Sequence, residues 1–226
     1  MAHHLVDKWV EALVAARATS ARCGPPTDRP STRDEAYQIQ AGVARRVGPV
    51  GGFKTARKGD APPIMAPIFA AGIVPSGAQV DVSDMLGIEL EIGFEIVEDC
   101  PADLGSLRLS ELGKLLLPVA VIELVDTRVQ GPFAGDEIVK LTDNQINAGL
   151  VVGGTATDWS GSDFGKVNAR LQTGEDIILD GQTSVPGGSA LDTFASFARQ
   201  IGMHCGGLKR GQIVITGSLH PLVYYP

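Results

Sequence analysis

Gly87-Ile88-Glu89-Leu90-Glu91-Ile92-Gly93-Phe94-Glu95-Ile96-Val97-Glu98 is the stretch on which the reading of this chain turns. Ile88, Leu90, Ile92, Phe94 and Ile96 alternate with Glu89, Glu91, Gly93 and Glu95, the two-residue period of a strand with one apolar face. The carboxylates then share the other face. Alternation sets Glu89 and Glu91 roughly 7 Å apart at their Cα atoms, near enough for both side chains to converge on one ion. A half-exposed strand with a solvated acidic face has the same pattern, so the rest of the chain must decide between the two.

A second strand pattern, Val119 to Asp126, is apolar on both faces: Val119, Val121 and Val125 on one, Ala120, Ile122 and Leu124 on the other. Such a strand is buried, and it carries Glu123. A buried carboxylate costs several kcal/mol or protonates unless a cation or hydrogen-bond donors meet it. Glu123 is therefore the most informative of the three glutamates, with a salt bridge to Arg128 as the alternative to an ion.

With 226 residues, the chain is long enough to bury a core as one domain. Its net charge of -7, with no basic run, argues against a nucleic-acid surface. Cys23, Cys100 and Cys205 lie far apart and do not form a zinc-type spacing, which suits a reducing compartment. Charged residues interrupt the first eight positions and no apolar run reaches membrane-spanning length. A cytoplasmic protein with no membrane partner is expected.

In chain order, Leu5, Trp9 and Leu13 beside Val6, Val10 and Val14 predict a packing helix over residues 5–17. Thr32 and Glu35 form a capping box before a helix that runs through Ile39 and Val43 to about Arg46, where Gly48 stops it. Val50-Gly51-Gly52-Phe53-Lys54-Thr55 leads into a single lysine, and most lysines are surface residues. Proline-rich residues 59–67 predict a loop; residues 64–74 fit helix or strand equally; residues 78–82 predict a short strand. Residues 110–117 predict a short helix stopped by Pro118. Asp143 and Asn144 suit a turn or cap. A hairpin is expected around Thr173-Gly174-Glu175, then a helix begun by Ser189 and Asp192, then a strand over residues 212–216. Helices first and strands afterwards favour an α+β arrangement, with a helical segment (1–48) packed on a β-rich part (49–226) of the same domain.

With these pieces in place, the sequence resembles the 2-keto-4-pentenoate hydratase and 4-oxalocrotonate decarboxylase branch of the fumarylacetoacetate hydrolase superfamily. The resemblance rests on Asp34-Glu35-Ala36-Tyr37-Gln38-Ile39-Gln40, Gly52-Phe53-Lys54, Ile88-Glu89-Leu90-Glu91-Ile92, Val121-Ile122-Glu123-Leu124-Val125-Asp126-Thr127-Arg128 and Ile213-Val214-Ile215-Thr216-Gly217-Ser218-Leu219, with Asp143-Asn144 followed by Ala148-Gly149 as a looser match. It implies an α+β fold built on a mixed β-roll with N-terminal helices. It also implies a Mg²⁺ or Mn²⁺ ion held by Glu89, Glu91 and Glu123, chelating a small 2-oxo acid such as 2-keto-4-pentenoate and stabilising an enolate. Three carboxylates suit such a hard cation and leave positions open for water and substrate. Lys54 would hold the substrate carboxylate or a developing oxyanion, Asp143 would handle protons or support the site, and Asn144 and Thr216 would contact substrate.

The departures from the family pattern are specific. Hydratases of the branch read roughly Leu-Phe-Ala-Asp where this chain reads Ile68-Phe69-Ala70-Ala71, and a methyl group moves no proton. Thr55-Ala56-Arg57-Lys58 and Gly187-Gly188-Ser189 also differ from the family, and the sequence stops soon after Thr216-Gly217-Ser218. That ending is expected to leave a sheet edge needing cover, hence a homo-oligomer. Two readings stay open: a divalent-metal hydratase or decarboxylase, and a non-catalytic paralogue that binds metal or a partner subunit.

Overall fold

The computed structural model describes residues 2–24, 26, 28–57, 59, 61–81, 86–101 and 104–225. Helices α1 (Ala2–Thr19) and α2 (Arg33–Val47) pack on each other, with Trp9 and Leu13 meeting Ile39 and Val43 in a cluster that also takes in Val129 and Val139. The capping box forms as expected: Thr32 Oγ1 accepts the Glu35 N–H at 3.2 Å, and the Glu35 carboxylate accepts the N–H groups of Ser31 and Thr32. It satisfies donors that a helix start leaves open.

One eight-stranded mixed sheet organises the remainder. It contains β1 (Val50–Lys54), β2 (Ala66–Phe69), β3 (Ile73–Pro75), β4 (Leu86–Ile96), β5 (Leu116–Val125), β6 (Asn147–Thr155), β9 (Ile213–Ser218) and β10 (Val223–Tyr225). The order is β2-β1-β9-β4-β5-β6-β3, with β10 beside β4. The two outermost strands, β2 and β3, are separated in sequence only by the single 3₁₀ turn Ala70–Gly72. So short a link forces the ends of the sheet together and rolls it. A backbone contact tightens the roll: Gly149 approaches the Gly72 carbonyl where a Cβ would collide with it. Ile68, Val119, Val121, Leu150, Ile213 and Ile215, from strands that are not all neighbours, fill the resulting interior.

The other face of the sheet carries Phe53, Phe94 and Val214, covered by Leu191, Phe194 and Phe197 of α5 (Ala190–Ile201). Ser189 caps that helix by accepting the Asp192 N–H at 2.9 Å. The expected hairpin is β7 (Lys166–Thr173) with β8 (Asp176–Ser184), a separate two-stranded sheet turning through Gly174 at φ +57. Short helices α3 (Leu109–Leu112) and α4 (Glu137–Thr142) complete the described α-helices.

Two local expectations are corrected. Residues 78–81 form no strand, and Val82 lies outside the described residues. Pro118 does not end a helix: it sits inside β5 opposite Phe94, with its carbonyl accepting the Ala156 N–H at 2.9 Å. The segment after Ser218 adds a short strand of its own, with Val223, Tyr224 and Tyr225 pairing antiparallel with Ile88, Gly87 and Leu86.

Candidate functional site

Strands β4 and β5 run antiparallel with Glu89 directly opposite Glu123. Directly paired residues point to the same face, and Glu91 follows two positions along it. All three therefore enter the interior of the roll, and one oxygen of each lies within 4.8 Å of the others. Glu91 and Glu123 are fully buried; Glu89 keeps partial access. Lys54, the last residue of β1, reaches the same point, with Nζ 2.6 Å from Glu123 Oε2 and 3.2 Å from Glu89 Oε2.

Two bulges supply the other polar contacts. Between Glu91 and Gly93 the register with β9 shifts, so Thr216 and Gly217 face a single residue of β4. Gly217, at φ +118, turns its N–H into the site and donates to Glu91 Oε2 at 2.7 Å. A side chain there would be strained, since φ in this range is a glycine conformation. A second shift lies between Leu124 and Val125 opposite β6, and next to it Asn147 Nδ2 donates to Glu123 Oε1 at 2.8 Å. Leading into β6, Asn144, Gln145 and Ile146 all adopt left-handed φ values, +53, +52 and +56. For a β-branched isoleucine that is a costly conformation, on the order of 1–3 kcal/mol, of the kind that clusters at functional sites.

The electrostatics are lopsided. Three carboxylates face one ammonium, so Lys54 is attracted by all three while each carboxylate shares a single cation. Burial alone pushes Lys54 toward neutrality, but Glu123, Glu91 and Glu89 together outweigh it and raise its pKa above the ordinary lysine value. Burial is the largest influence on the acids: it lifts Glu123 to about 7 against the pull of Lys54, and lifts Glu91 well above the carboxylate range, with Glu123 adding repulsion. Glu91 Oε1 is buried with no hydrogen-bond partner. An all-oxygen donor set, excess negative charge and an orphaned buried oxygen fit a divalent hard cation.

A pocket of about 510 Å³ adjoins this cluster, lined among others by Asn147, Phe69, Ala71, Arg17 and Arg128. Asn147 is the shared wall, since it lines the pocket and holds Glu123. Asp143 lies behind, fully buried, accepting from Arg17 at 3.2 Å and from the Arg128 Nε and backbone N–H at 2.8 Å. Arg128 is thus committed to Asp143, and the cation that meets Glu123 is Lys54.

Of the residues singled out from sequence, Glu89, Glu91, Glu123 and Lys54 come together. Asp143 sits with the arginines. Asn144 is buried with Nδ2 donating to the Pro67 carbonyl at 3.0 Å, and Thr216 Oγ1 donates to the Ile92 carbonyl at 3.3 Å. Sequence reasoning passed over Asn147 and Arg17. A polar residue opening a strand opposite the one that carries Glu123 was a usable signal for Asn147. Nothing local marked Arg17, whose partner Asp143 is 126 residues away.

No family model matches the sequence, and no curated protein does. Among solved structures the chain is similar to 4-oxalocrotonate decarboxylase from Pseudomonas putida G7. With its calcium and acetate complex it shares 20% identity and a TM-score of 0.75 over 99% of this chain and 90% of that one. The magnesium and adipate complex gives 21% at the same score and coverage. Fumarylpyruvate hydrolase from Pseudomonas aeruginosa, in complex with Mn²⁺ and pyruvate, is more distant, at 12% and 0.50 over 77% and 79%. The first two likenesses establish the fold, a mixed α+β roll of the fumarylacetoacetate hydrolase type.

Proposed function

We propose that the protein is a divalent-metal-dependent lyase acting on a small 2-oxo acid, with Glu89, Glu91 and Glu123 as the ligands of Mg²⁺ or Mn²⁺. The observation that carries this is the buried three-carboxylate cluster with one ammonium and an unpartnered Glu91 oxygen. The ion would act as a Lewis acid, withdrawing electrons through the 2-oxo oxygen.

The chain's own residues divide the remaining tasks. Lys54, held protonated by the carboxylates around it, is no proton acceptor; it is a fixed positive charge for the substrate carboxylate or for an oxyanion that develops beside it. Gly217 and Asn147 hold the Glu91 and Glu123 carboxylates at their backbone and amide donors. Asp143 orients Arg17 and Arg128, while Asn144 and Thr216 fix the segments that frame the site. Rolling the sheet around the cluster keeps bulk water from the buried oxygens of Glu91 and Glu123, which strengthens every charge interaction there.

Ala71 lines the pocket, at the position where hydratases of the resembling branch place an aspartate. With no acid there, loss of carbon dioxide, which needs mainly an electron sink, is favoured over hydration, which needs a delivered proton and an activated water. The same observation supports the second reading, a paralogue that keeps the metal and has lost proton transfer. Turnover of 4-oxalocrotonate and of 2-hydroxypentadienoate with and without Mg²⁺ separates them. Metal-dependent decarboxylation exceeding hydration is expected; no turnover of either, with metal bound, would leave the paralogue.

A further inference from the structure

Away from the carboxylate cluster, the polar face of α5 borders a groove of about 610 Å³ that the proposed chemistry does not use. Asp192, Ser196, Arg199 and Gln200 recur at the spacing of one helix face, while Leu191, Phe194 and Phe197 face the core. The rest of the lining, Arg57, Gly59 and Ala61-Pro62-Pro63, comes from the proline-rich link between β1 and β2. Two stretches that depart from the resembling family meet here. Arg57 belongs to Thr55-Ala56-Arg57-Lys58, and the helix that receives it follows Gly187-Gly188-Ser189.

Arg57 Nη1 donates to Asp192 Oδ2 at 2.6 Å and to Ser196 Oγ at 3.3 Å, and Arg199 Nη2 donates to the same hydroxyl oxygen at 3.1 Å. Two guanidinium groups from different elements are thus brought to one oxygen. With both lone pairs of Ser196 Oγ engaged, its O–H is left to donate, and nothing among the described residues accepts it. The Gln200 side chain also has no hydrogen-bond partner among the described residues.

The charges do not balance. Asp192 answers Arg57, whereas Arg199 makes no ion pair among the described residues and gives its other contact, at 3.4 Å, to the Gly105 carbonyl. Among the described residues no carboxylate lines the groove. Its wall therefore offers two guanidiniums, a hydroxyl and an amide with a positive excess, on a chain whose net charge is -7. Donors arriving from a loop and from two turns of a helix surround an oxyanion in three dimensions. That arrangement suits the tetrahedral oxygens of a phosphate better than a planar carboxylate, for which one guanidinium fork suffices. The volume is that of a site for a whole small molecule, and Ala61, Pro62 and Pro63 supply an apolar flank beside the donors.

We propose that this groove binds the phosphate group of a small ligand through Arg57, Arg199 and Ser196, with the remainder of the ligand against Ala61, Pro62 and Pro63. Free phosphate presents the same oxygens and is the other source of that chemistry. The site shares no residue with the carboxylate cluster or with the arginines around Asp143, so it stands independently of the metal-lyase reading.

Calorimetric titration of the full chain, freed of divalent ions so that no metal holds the phosphate, tests it with phenyl phosphate, inorganic phosphate and benzoate. Phenyl phosphate should bind saturably and about tenfold or more tightly than benzoate, and Arg199→Gln should weaken it about tenfold, the scale of a hydrogen bond to a charged group. Ser196→Ala should weaken it in the same direction. Inorganic phosphate matching phenyl phosphate, with the same loss in Arg199→Gln, would assign the free ion; tighter binding of phenyl phosphate would assign an ester. Absence of saturable binding by both phosphates, benzoate equal to phenyl phosphate, or an affinity unchanged in Arg199→Gln would overturn the proposal. So would a loss confined to Arg17→Gln, which would place the anion beside Asp143 instead. Arg199 is exposed, so its substitution leaves the core intact; should the near-ultraviolet circular dichroism of Arg199→Gln nevertheless change, phenyl phosphate against benzoate on the unmodified protein decides.

Discussion

The carboxylate cluster inside the roll and the arginine pair in the adjoining pocket are mirror images in charge. Glu89, Glu91 and Glu123 outnumber Lys54, whereas Arg17 and Arg128 outnumber Asp143. Each group is buried enough that its imbalance is felt, since buried charges are screened far less than surface ones. Yet they differ in how the imbalance is expressed. Glu91 and Glu123 respond by moving their pKa values up, because a carboxylate can take a proton; an arginine cannot readily lose one. The first region is thus a site that adapts to pH until a cation arrives, and the second is a standing positive charge.

The largest expected effect breaks the acidic side of this comparison. Glu123→Gln should weaken Mn²⁺ binding by about 100-fold or more, since removal of an outer-shell partner alone typically costs 10–100-fold. Glu95→Gln, on the same strand face but outside the cluster, should change it by less than about twofold. Calorimetric titration of both variants checks this, and equal losses would mean the ligands are misassigned. Lys54→Met should retain metal binding but lose on the order of 10²-fold or more in kcat, the usual cost of removing a positioned electrostatic group. Unchanged kcat would remove Lys54 from the site's chemistry.

A smaller effect is expected at the wall joining the regions. Asn147→Ala leaves Glu123 Oε1 without its amide donor and should weaken Mn²⁺ binding about tenfold, with Asn147→Gln or Asn147→Asp giving no full rescue because the donor position changes. Affinity within twofold of the unmodified protein would show that the bulge, not the amide, sets the geometry.

The pH dependence sharpens the contrast. With Glu123 at about 7 and Glu91 above the ordinary range, the metal-free folded state binds more protons than the unfolded chain, whose glutamates titrate near 4.3. Stability of the metal-free protein from these two groups is therefore fully present below about pH 4; the Glu123 share is lost as pH rises through about 7, and the Glu91 share as pH rises through its own raised pKa. Thermal unfolding in chelator should show Tm falling between pH 5 and 8, with Mn²⁺ restoring it most at the higher pH. A metal-free Tm that climbs over that interval would contradict the assigned shifts.

The smallest effect concerns Ala71. Ala71→Asp restores a carboxyl to the pocket wall and should raise hydration of a dienol substrate severalfold. Brisk hydration by the unmodified protein would show that the acid lies elsewhere, with Asp81 and Asp126, which line the same pocket, as the places to look.

The sequence carried much of this because its strongest signals are local. Alternation gave β4, the two apolar faces of β5 marked Glu123 as a charge in need of a partner, and Thr32, Gly174 and Ser189 announced their caps and turn through side-chain chemistry that acts within a few residues. What stayed hidden is long-range or conformational. The left-handed run Asn144 to Ile146 contains no glycine and is imposed by the surroundings rather than by preference. Residues 64–74 looked ambiguous because two three- or four-residue strands and a 3₁₀ turn share a stretch too short for any period to show. Arg17 ends the stripe of a packing helix and nothing local marks it; only the fold brings it to Asp143.

The central claim is that the three glutamates converge to hold one divalent ion. Crystals soaked in Mn²⁺ and measured near the manganese absorption edge test it directly. The account predicts a single anomalous peak inside the roll, about 2.0–2.3 Å from a carboxylate oxygen of each of Glu89, Glu91 and Glu123. A well-ordered cluster in which Lys54 alone bridges the carboxylates at saturating Mn²⁺, with no peak among them, would contradict it.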